Sequence, residues 1–295
     1  MGLKTEKTTW IFLLASQSEP EIRHVYDVKF GIDALVHSGI AIKDINIIID
    51  SNEKSSLQII RETNGFANKT IYKSSKLKEL FEKNSYDNIV LFVNGHGNYR
   101  GLDSNPRITP YDLLDSLQNA NNLKKGIVFL GQCFAGIFNY MPVMKREKNG
   151  KQLPPLVVIG STGLHSSISS SLVTKESAEY SYPVNVFFYY LFEWIKKHED
   201  IDGDGICSLM DAYKYVGYCV TKFSSHQKIN NLMKRKKDED RFCEEIKKIK
   251  DEKISDREKE TIKTTIQALK EKLLLYDNNQ KSWILNAIEA MDIYL

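Results

Sequence analysis

The 295-residue chain predicts an α/β fold with a mostly parallel central sheet covered by helices on both faces. Two observations carry this expectation. Short apolar runs alternate with segments whose apolar residues fall at helical spacing, the pattern of strands joined by crossover helices. Two of those runs also end in glycine-flanked polar residues, Asn94-Gly95-His96-Gly97 and Gly131-Gln132-Cys133-Phe134-Ala135-Gly136. Both motifs should therefore emerge at strand carboxyl ends, where open α/β sheets place their chemistry.

The elements follow in order. Residues 9–15 (TWIFLLA) read as a buried first strand, and residues 21–38 carry Ile22, Val25, Val28, Ile32, Leu35 and Val36 at helical spacing. Residues 46–49 make a second strand ending at Asp50-Ser51-Asn52. Residues 76–83 look helical, with Ser74 or Ser75 as the cap, and residues 88–93 form the strand that leads to His96. Thr109 followed by Pro110 opens a helix with Leu113, Leu114 and Leu117 on one face. Strands at 126–130 and 156–160 and a helix over 184–197 complete a sheet domain assigned to residues 1–224.

Residues 225–295 read as a helical C-terminal region. Residues 228–260 are dense in mixed charge, including Lys234-Arg235-Lys236-Lys237 before Asp238-Glu239-Asp240, which suits a solvated helix laced with i,i+4 ion pairs better than a basic patch. Ile262, Ile266, Leu269 and Leu273 then repeat at four-and-three spacing. Asp277-Asn278-Asn279 interrupts them, and Trp283, Ile284, Ala287, Ile288 and Met291 resume the pattern. Two amphipathic helices must bury these stripes on the sheet domain, on each other, or on a regulatory protein partner.

Composition narrows the function. A formal net charge of +3 from nearly balanced acids and bases excludes a dedicated nucleic-acid binder, and no base-reading motif is present. Glu6 stands where a myristoylation signal wants Ser or Thr, and the apolar run 10–15 is too short for a signal-peptide core, so a mature cytoplasmic protein without membrane attachment is expected. The four cysteines, Cys133, Cys207, Cys219 and Cys243, show no CxxC spacing. Reduced thiols are the simpler expectation, although an even count leaves extracellular disulfides formally open.

A thiol is a weak nucleophile until a base or a nearby cation favours its thiolate, so Cys133 and His96 at neighbouring strand tips are the minimal kit for acyl transfer. Cys133 would attack a carbonyl, and His96 would promote thiolate formation or protonate the leaving amine. The Gly97 and Cys133 amides are candidate oxyanion donors, and the N-terminus of a helix expected after Cys133 would add positive potential. The competing account is a glycine turn carrying a structural His beside a buried Cys. Two glycine-flanked motifs at strand ends in this order argue against it.

Strand-HG followed by strand-GQCxAG, with His96 and Cys133 separated by 37 positions, resembles the caspase-like (clan CD) cysteine peptidases: caspases, legumain-type asparaginyl endopeptidases, gingipains, clostripain and separase. Arg23-His24 with Asp27, the helix running to Gly39-Ile40 and the strand ending in Asp50 are similar to the first helix of the legumain type. The resemblance implies a three-layer caspase-like fold over most of residues 8–224. It also implies that Arg23, with His24 beside it, builds the pocket for the residue preceding the cleaved bond (P1). The loop from Gly160 to Ser171 stands where related enzymes form the opposite pocket wall, so Ser161 and Ser169 are substrate-binding candidates, the other reading being a flexible serine-rich loop with no ligand role. Legumains carry an acid two residues before the cysteine and caspases a Gln. Here Gly131 occupies that place and Gln132, immediately before Cys133, joins the substrate-binding candidates. Glu21 stands where legumains have an Asn that assists the histidine. An Arg23 without a compensating acid would favour a carboxylate, which puts Asp ahead of Asn at P1.

The implied activity is a cysteine endopeptidase that cuts protein or peptide substrates after Asp or Asn through a thioester acyl-enzyme and needs no cofactor for catalysis. The alternatives are a legumain-like transpeptidase or amidase, and an inactive caspase-like scaffold whose tail helices do the binding. Separately, Asp200-Ile201-Asp202-Gly203-Asp204-Gly205-Ile206-Cys207-Ser208-Leu209-Met210-Asp211 fits the twelve-residue calcium loop. Its ligands would be Asp200, Asp202, Asp204, the Ile206 carbonyl, Ser208 and Asp211, with Gly205 at the sharp turn. The other reading is an Asx-rich turn in which Ser208 caps a helix over 209–223.

Overall fold

The computed structural model describes residues 2–63, 65–171, 183–250 and 254–294. Seven strands form the central sheet: β1 (Thr8–Ala15), β2 (Ile45–Ile49), β3 (Ile71–Tyr72), β4 (Asn88–Gly95), β5 (Lys125–Leu130), β6 (Leu156–Gly160) and β7 (Trp283–Leu285). Their order is β7-β6-β5-β4-β1-β2-β3, and every pairing is parallel except β6 with β7. The α/β class and the mostly parallel sheet are those the apolar periodicity predicts.

Alternation along β1 sorts the core into two halves. Ile11, Leu13 and Ala15 belong to a cluster with Leu77 and Phe81 of α3 (Leu77–Glu82) and Leu113, Leu114 and Leu117 of α4 (Pro110–Gln118). Of the residues between them, Phe12 stacks on Phe92 at 4.9 Å, and Phe92 stacks on Phe129 at 5.3 Å. That aromatic layer meets Phe192 of α5 (Val186–Lys197), while Phe12 and Phe192 both crowd Gly31 of α1 (Ile22–His37). Two helix layers thus cover the two faces of one sheet, which buries its central strands completely.

Local signals account for some ends and not others. Thr109 caps α4 by accepting from the Asp112 N–H at 3.1 Å, with Pro110 in the first turn, as the sequence predicts. Ser74 and Ser75 do not cap α3. They lie in a 3-10 turn (Ser74–Lys76), and the Ser74 N–H donates to Asp50 Oδ1 at 2.9 Å.

The chain divides into two compact units, residues 1–220 with 280–295, and residues 221–279. The segment after Asn279 thus returns to the sheet unit instead of remaining with the helical region. Trp283 to Leu285, expected to resume a helix, is the antiparallel edge strand β7, with Gly160 opposite Trp283. A three-residue apolar run suits either state, and the open edge of β6 decides it by supplying a ladder of backbone partners. Asn286, left-handed at φ 61°, then turns the chain into the short helix α8 (Ala287–Met291).

In the second unit, α6 (Leu209–Lys248), which starts in the first, and α7 (Asp256–Asp277) are joined by ionic contacts. Arg235 donates to both Asp277 oxygens at 2.9 and 3.2 Å, and Lys272 pairs with Asp238 at 2.7 Å. Among the described residues, no helix is long and apolar enough to cross a membrane.

A reciprocal cap starts α6. The Asp211 carboxylate accepts from the Ser208 N–H (2.9 Å) and hydroxyl (2.7 Å) and from the Ile201 N–H (3.0 Å). Burial works against the charge, but these bonds outweigh it and hold the Asp211 carboxyl below the usual aspartate range. We expect Asp211→Ala to lower the stability of the chain by about 1–3 kcal/mol at neutral pH. Because the folded carboxyl titrates below the unfolded one, this difference is present above the ordinary aspartate range and closes as pH falls through the lower folded value. Urea denaturation of both proteins at pH 7 and pH 3 measures it, and equal midpoints at pH 7 would contradict it.

Candidate active site

The last paired residues of β4 and β5 are Val93 and Leu130, and His96 and Cys133 each lie three positions beyond that pair. Parallel register therefore brings the two motifs out of the sheet at the same level. Gly95 has φ +94°, and a Cβ there would meet the Ala15 carbonyl oxygen at 2.1 Å, so only glycine lets the turn hug β1. The His96 backbone is then held on both sides, its N–H by Ala15 O at 2.9 Å and its carbonyl by the Asp103 N–H at 3.0 Å. A Cβ on Gly97 would stand 2.5 Å from the Cys133 carbonyl oxygen and 2.6 Å from Gln132 Cγ. At this contact the histidine turn lies directly on the cysteine loop.

The loop after β6 pins the cysteine loop from the other side. Phe134, left-handed at φ 56°, donates its N–H to His165 O at 2.9 Å, and the Gly136 N–H reaches Gly163 O at 3.1 Å. The half-buried Cys133 Sγ accepts from the Ser167 N–H at 3.3 Å. Ala135–Tyr140 is a six-residue 3-10 helix, too short to supply the helix-terminus potential expected after Cys133. The donor at the sulfur is the Ser167 amide instead.

On the other side of His96, Nε2 lies 3.2 Å from Glu21 Oε1. The second Glu21 oxygen takes the Arg23 Nε–H at 2.7 Å, and Arg23 Nη1 donates to Ser169 Oγ at 2.6 Å. Ser169, Arg23, Glu21 and His96 thus form one polar row. The Arg23 hydrogen bond and charge hold the Glu21 carboxyl below its ordinary range, against the effect of burial. Burial lowers the pKa of His96, with His24 and Arg23 adding to the effect and Glu21 and Asp103 opposing it. The imidazole is therefore neutral at pH 7 and able to take a proton. Arg23 is not left unpaired, so the condition that put Asp ahead of Asn at P1 is not met.

Of the five substrate-binding candidates, the structure joins Arg23 and Ser169 at the half-exposed end of this row. The other three sit behind it. His24 is 3% exposed and meets the His96 ring edge-on at a centroid distance of 5.1 Å. Ser161 is fully buried, its hydroxyl 3.5 Å from the Gln132 carbonyl, and the Gln132 side chain is packed beneath Gly97. All three are buried and present no open surface to a substrate side chain.

Sequence reasoning missed the polar network below. Asp27 accepts from the Asn185 N–H at 3.0 Å and from Asn94 Nδ2 at 3.2 Å, and Asn185 Nδ2 donates to the Gly131 carbonyl at 2.7 Å. Asn185 also caps α5 by accepting the Phe188 N–H, a role that an Asn before an apolar run signals. Gln280, fully buried, accepts the Ile168 N–H at 2.6 Å, and Trp283 Nε1 donates to Thr162 O at 2.8 Å. No local pattern marks those two positions.

The acidic loop is assembled in part. Asp200, Asp202 and Asp204 bring their oxygens within 4.8 Å of one another. Asp200 already accepts from the Gly203 and Gly205 N–H groups at 2.7 and 2.8 Å, and Asp202 pairs with Lys214. Asp211 and Ser208, expected as further ligands, are turned away and bonded to each other at the start of α6. The six-ligand calcium set is therefore not brought together, and the helix-capping role of Ser208 is the one observed.

No protein-family model matches the chain, and no curated protein does.

Gly97→Ala should cost about 1–3 kcal/mol, because the new methyl meets backbone and not a flexible side-chain end. It should also slow alkylation of Cys133 at neutral pH as the His96 turn lifts off the cysteine loop. Thermal denaturation and the rate of iodoacetamide labelling check both, and wild-type values for both would contradict the contact.

Proposed function

We propose that the chain is a caspase-like cysteine endopeptidase in which Cys133 is the nucleophile and His96 the acid–base. The carrying observation is the seating of Gly97 on the Cys133 carbonyl, which locks the histidine and cysteine turns together at adjacent strand tips. The Cys133 thiolate, supported by the Ser167 N–H, attacks the scissile carbonyl carbon. The oxyanion that forms is taken by the Gly97 and Cys133 amides. Glu21 accepts the Nε2 proton of His96, which leaves Nδ1 as the basic nitrogen that receives the thiol proton and returns it to the leaving amine. Breakage of the C–N bond leaves a thioester, and water activated by the same imidazole hydrolyses it.

Arg23 and Ser169 form the P1 end of the row. Because Glu21 already balances the guanidinium, an amide that accepts from Arg23 and donates to the serine suits this pocket better than a second carboxylate. Asn therefore moves ahead of Asp as the preferred P1 residue.

Cys133→Ala and His96→Ala should each reduce peptide cleavage by about 10³-fold or more while leaving the melting temperature nearly unchanged. Retained turnover in Cys133→Ala would end the proposal. In a peptide library the wild type should cut after Asn faster than after Asp. Glu21→Gln, which frees the charge of Arg23, should move the ratio toward Asp by about tenfold, and an unmoved ratio would take Arg23 out of the pocket.

A further inference from the structure

Glu21, His24 and His96 each present one ligand atom, and the three atoms lie within 4.8 Å of one another. Glu21 Oε1 and His96 Nε2 are 3.2 Å apart. The His24 ring stands edge-on to His96, is 3% exposed, and has no hydrogen-bond partner on either nitrogen among the described residues. An imidazole always carries at least one N–H, so burying it unpaired costs about 1–3 kcal/mol. That cost marks a group whose partner is something other than its protein neighbours. Asp27 Oδ2 lies 3.7 Å from His24 Nδ1, where a slight tightening would take up the Nδ1 proton and leave Nε2 as a lone-pair donor. A carboxylate behind an imidazole is the usual second layer of a histidine-metal site.

We propose that Glu21, His24 and His96 form a site for a divalent transition-metal ion of the zinc type, and that the bound ion withdraws His96 from Cys133. Two imidazoles and a carboxylate are the mixed nitrogen and oxygen set that zinc takes with a water in the fourth place. Magnesium and calcium, which prefer all-oxygen shells, are disfavoured. Tetrahedral zinc holds its ligand atoms about 3.3 Å apart. The Glu21–His96 pair already meets that spacing, and the remaining contraction falls to Glu21 and His96, which are part-exposed. Arg23, bonded to the same carboxylate, opposes the cation and sets a ceiling on affinity. Metal binding stands on the cluster itself. The inhibitory consequence rests on the peptidase reading above, since it requires that His96 serve Cys133.

The test is calorimetric titration of zinc chloride into the full, chelator-stripped chain. One zinc site should be lost in His24→Ala and weakened at least tenfold in Glu21→Gln, a variant at an exposed position that guards against misfolding of the first. It should persist in Cys133→Ala, which rules out a thiolate site, and in Asp202→Ala, which rules out the acidic loop. It should tighten in Arg23→Ala. Zinc should inhibit peptide cleavage reversibly by chelator, and Glu21→Gln, compared with its own zinc-free rate, should resist. Unchanged titration in both His24→Ala and Glu21→Gln, or loss of the site in Cys133→Ala, overturns the proposal. Zinc binding of the expected pattern in a chain that cleaves no peptide would retain the site and refute the peptidase. Cleavage without such binding would do the reverse.

Discussion

The Asp27 carboxylate, almost wholly buried, is the constraint around which the upper edge of the sheet is organised. A buried charge costs several kcal/mol unless donors saturate it, so its partners are held firmly in place. One partner is the Asn185 N–H at the start of α5, another the Asn94 amide at the tip of β4, and Asp27 itself belongs to α1. Asn185 passes the tie on to the Gly131 carbonyl, two residues before the cysteine. Removing the carboxylate would thus leave the buried Asn185 N–H without its partner and take from Asn94 Nδ2 one of its two acceptors, the other being the His24 carbonyl.

The row above it is arranged by charge balance. Glu21 lies between Arg23 and His96 and serves both, so neither cation-forming group faces the other directly. The same arrangement separates two tasks. Oε2 takes the short Arg23 bond, and Oε1 faces the imidazole while taking only a longer 3.4 Å contact from Arg23 Nη2. A chain with a neutral residue at this position would leave Arg23 with a full charge and His96 without a fixed tautomer.

Much of the fold was legible because it is periodic. Apolar runs, helical stripes and the Thr109-Pro110 start are local signals, and they placed the parallel strands and the level at which His96 and Cys133 leave them. The features that escaped are those set by distant partners. β7 depends on an open edge at β6, and Gln280 depends on a backbone amide more than a hundred positions away. A glycine at 131 is required sterically, since a Cβ there would lie 2.2 Å from the Phe188 ring. The resemblance points to Arg23, yet its partner Glu21 enters the sequence reading only as a departure from the resembling pattern. The same resemblance gives His24 to the pocket, but successive residues of a helix face different directions, and this one is almost wholly buried.

The return of residues 280–285 to the sheet has a consequence for how the site comes into being. During synthesis Cys133 leaves the ribosome long before Gln280 and Trp283, which bond the 162–168 loop beside it at the Ile168 N–H and the Thr162 carbonyl. Until they arrive, the β6 edge is open and the Ile168 N–H and the Thr162 carbonyl lack these partners. The loop beside the thiol thus gains these two side-chain bonds only once β7 has been made.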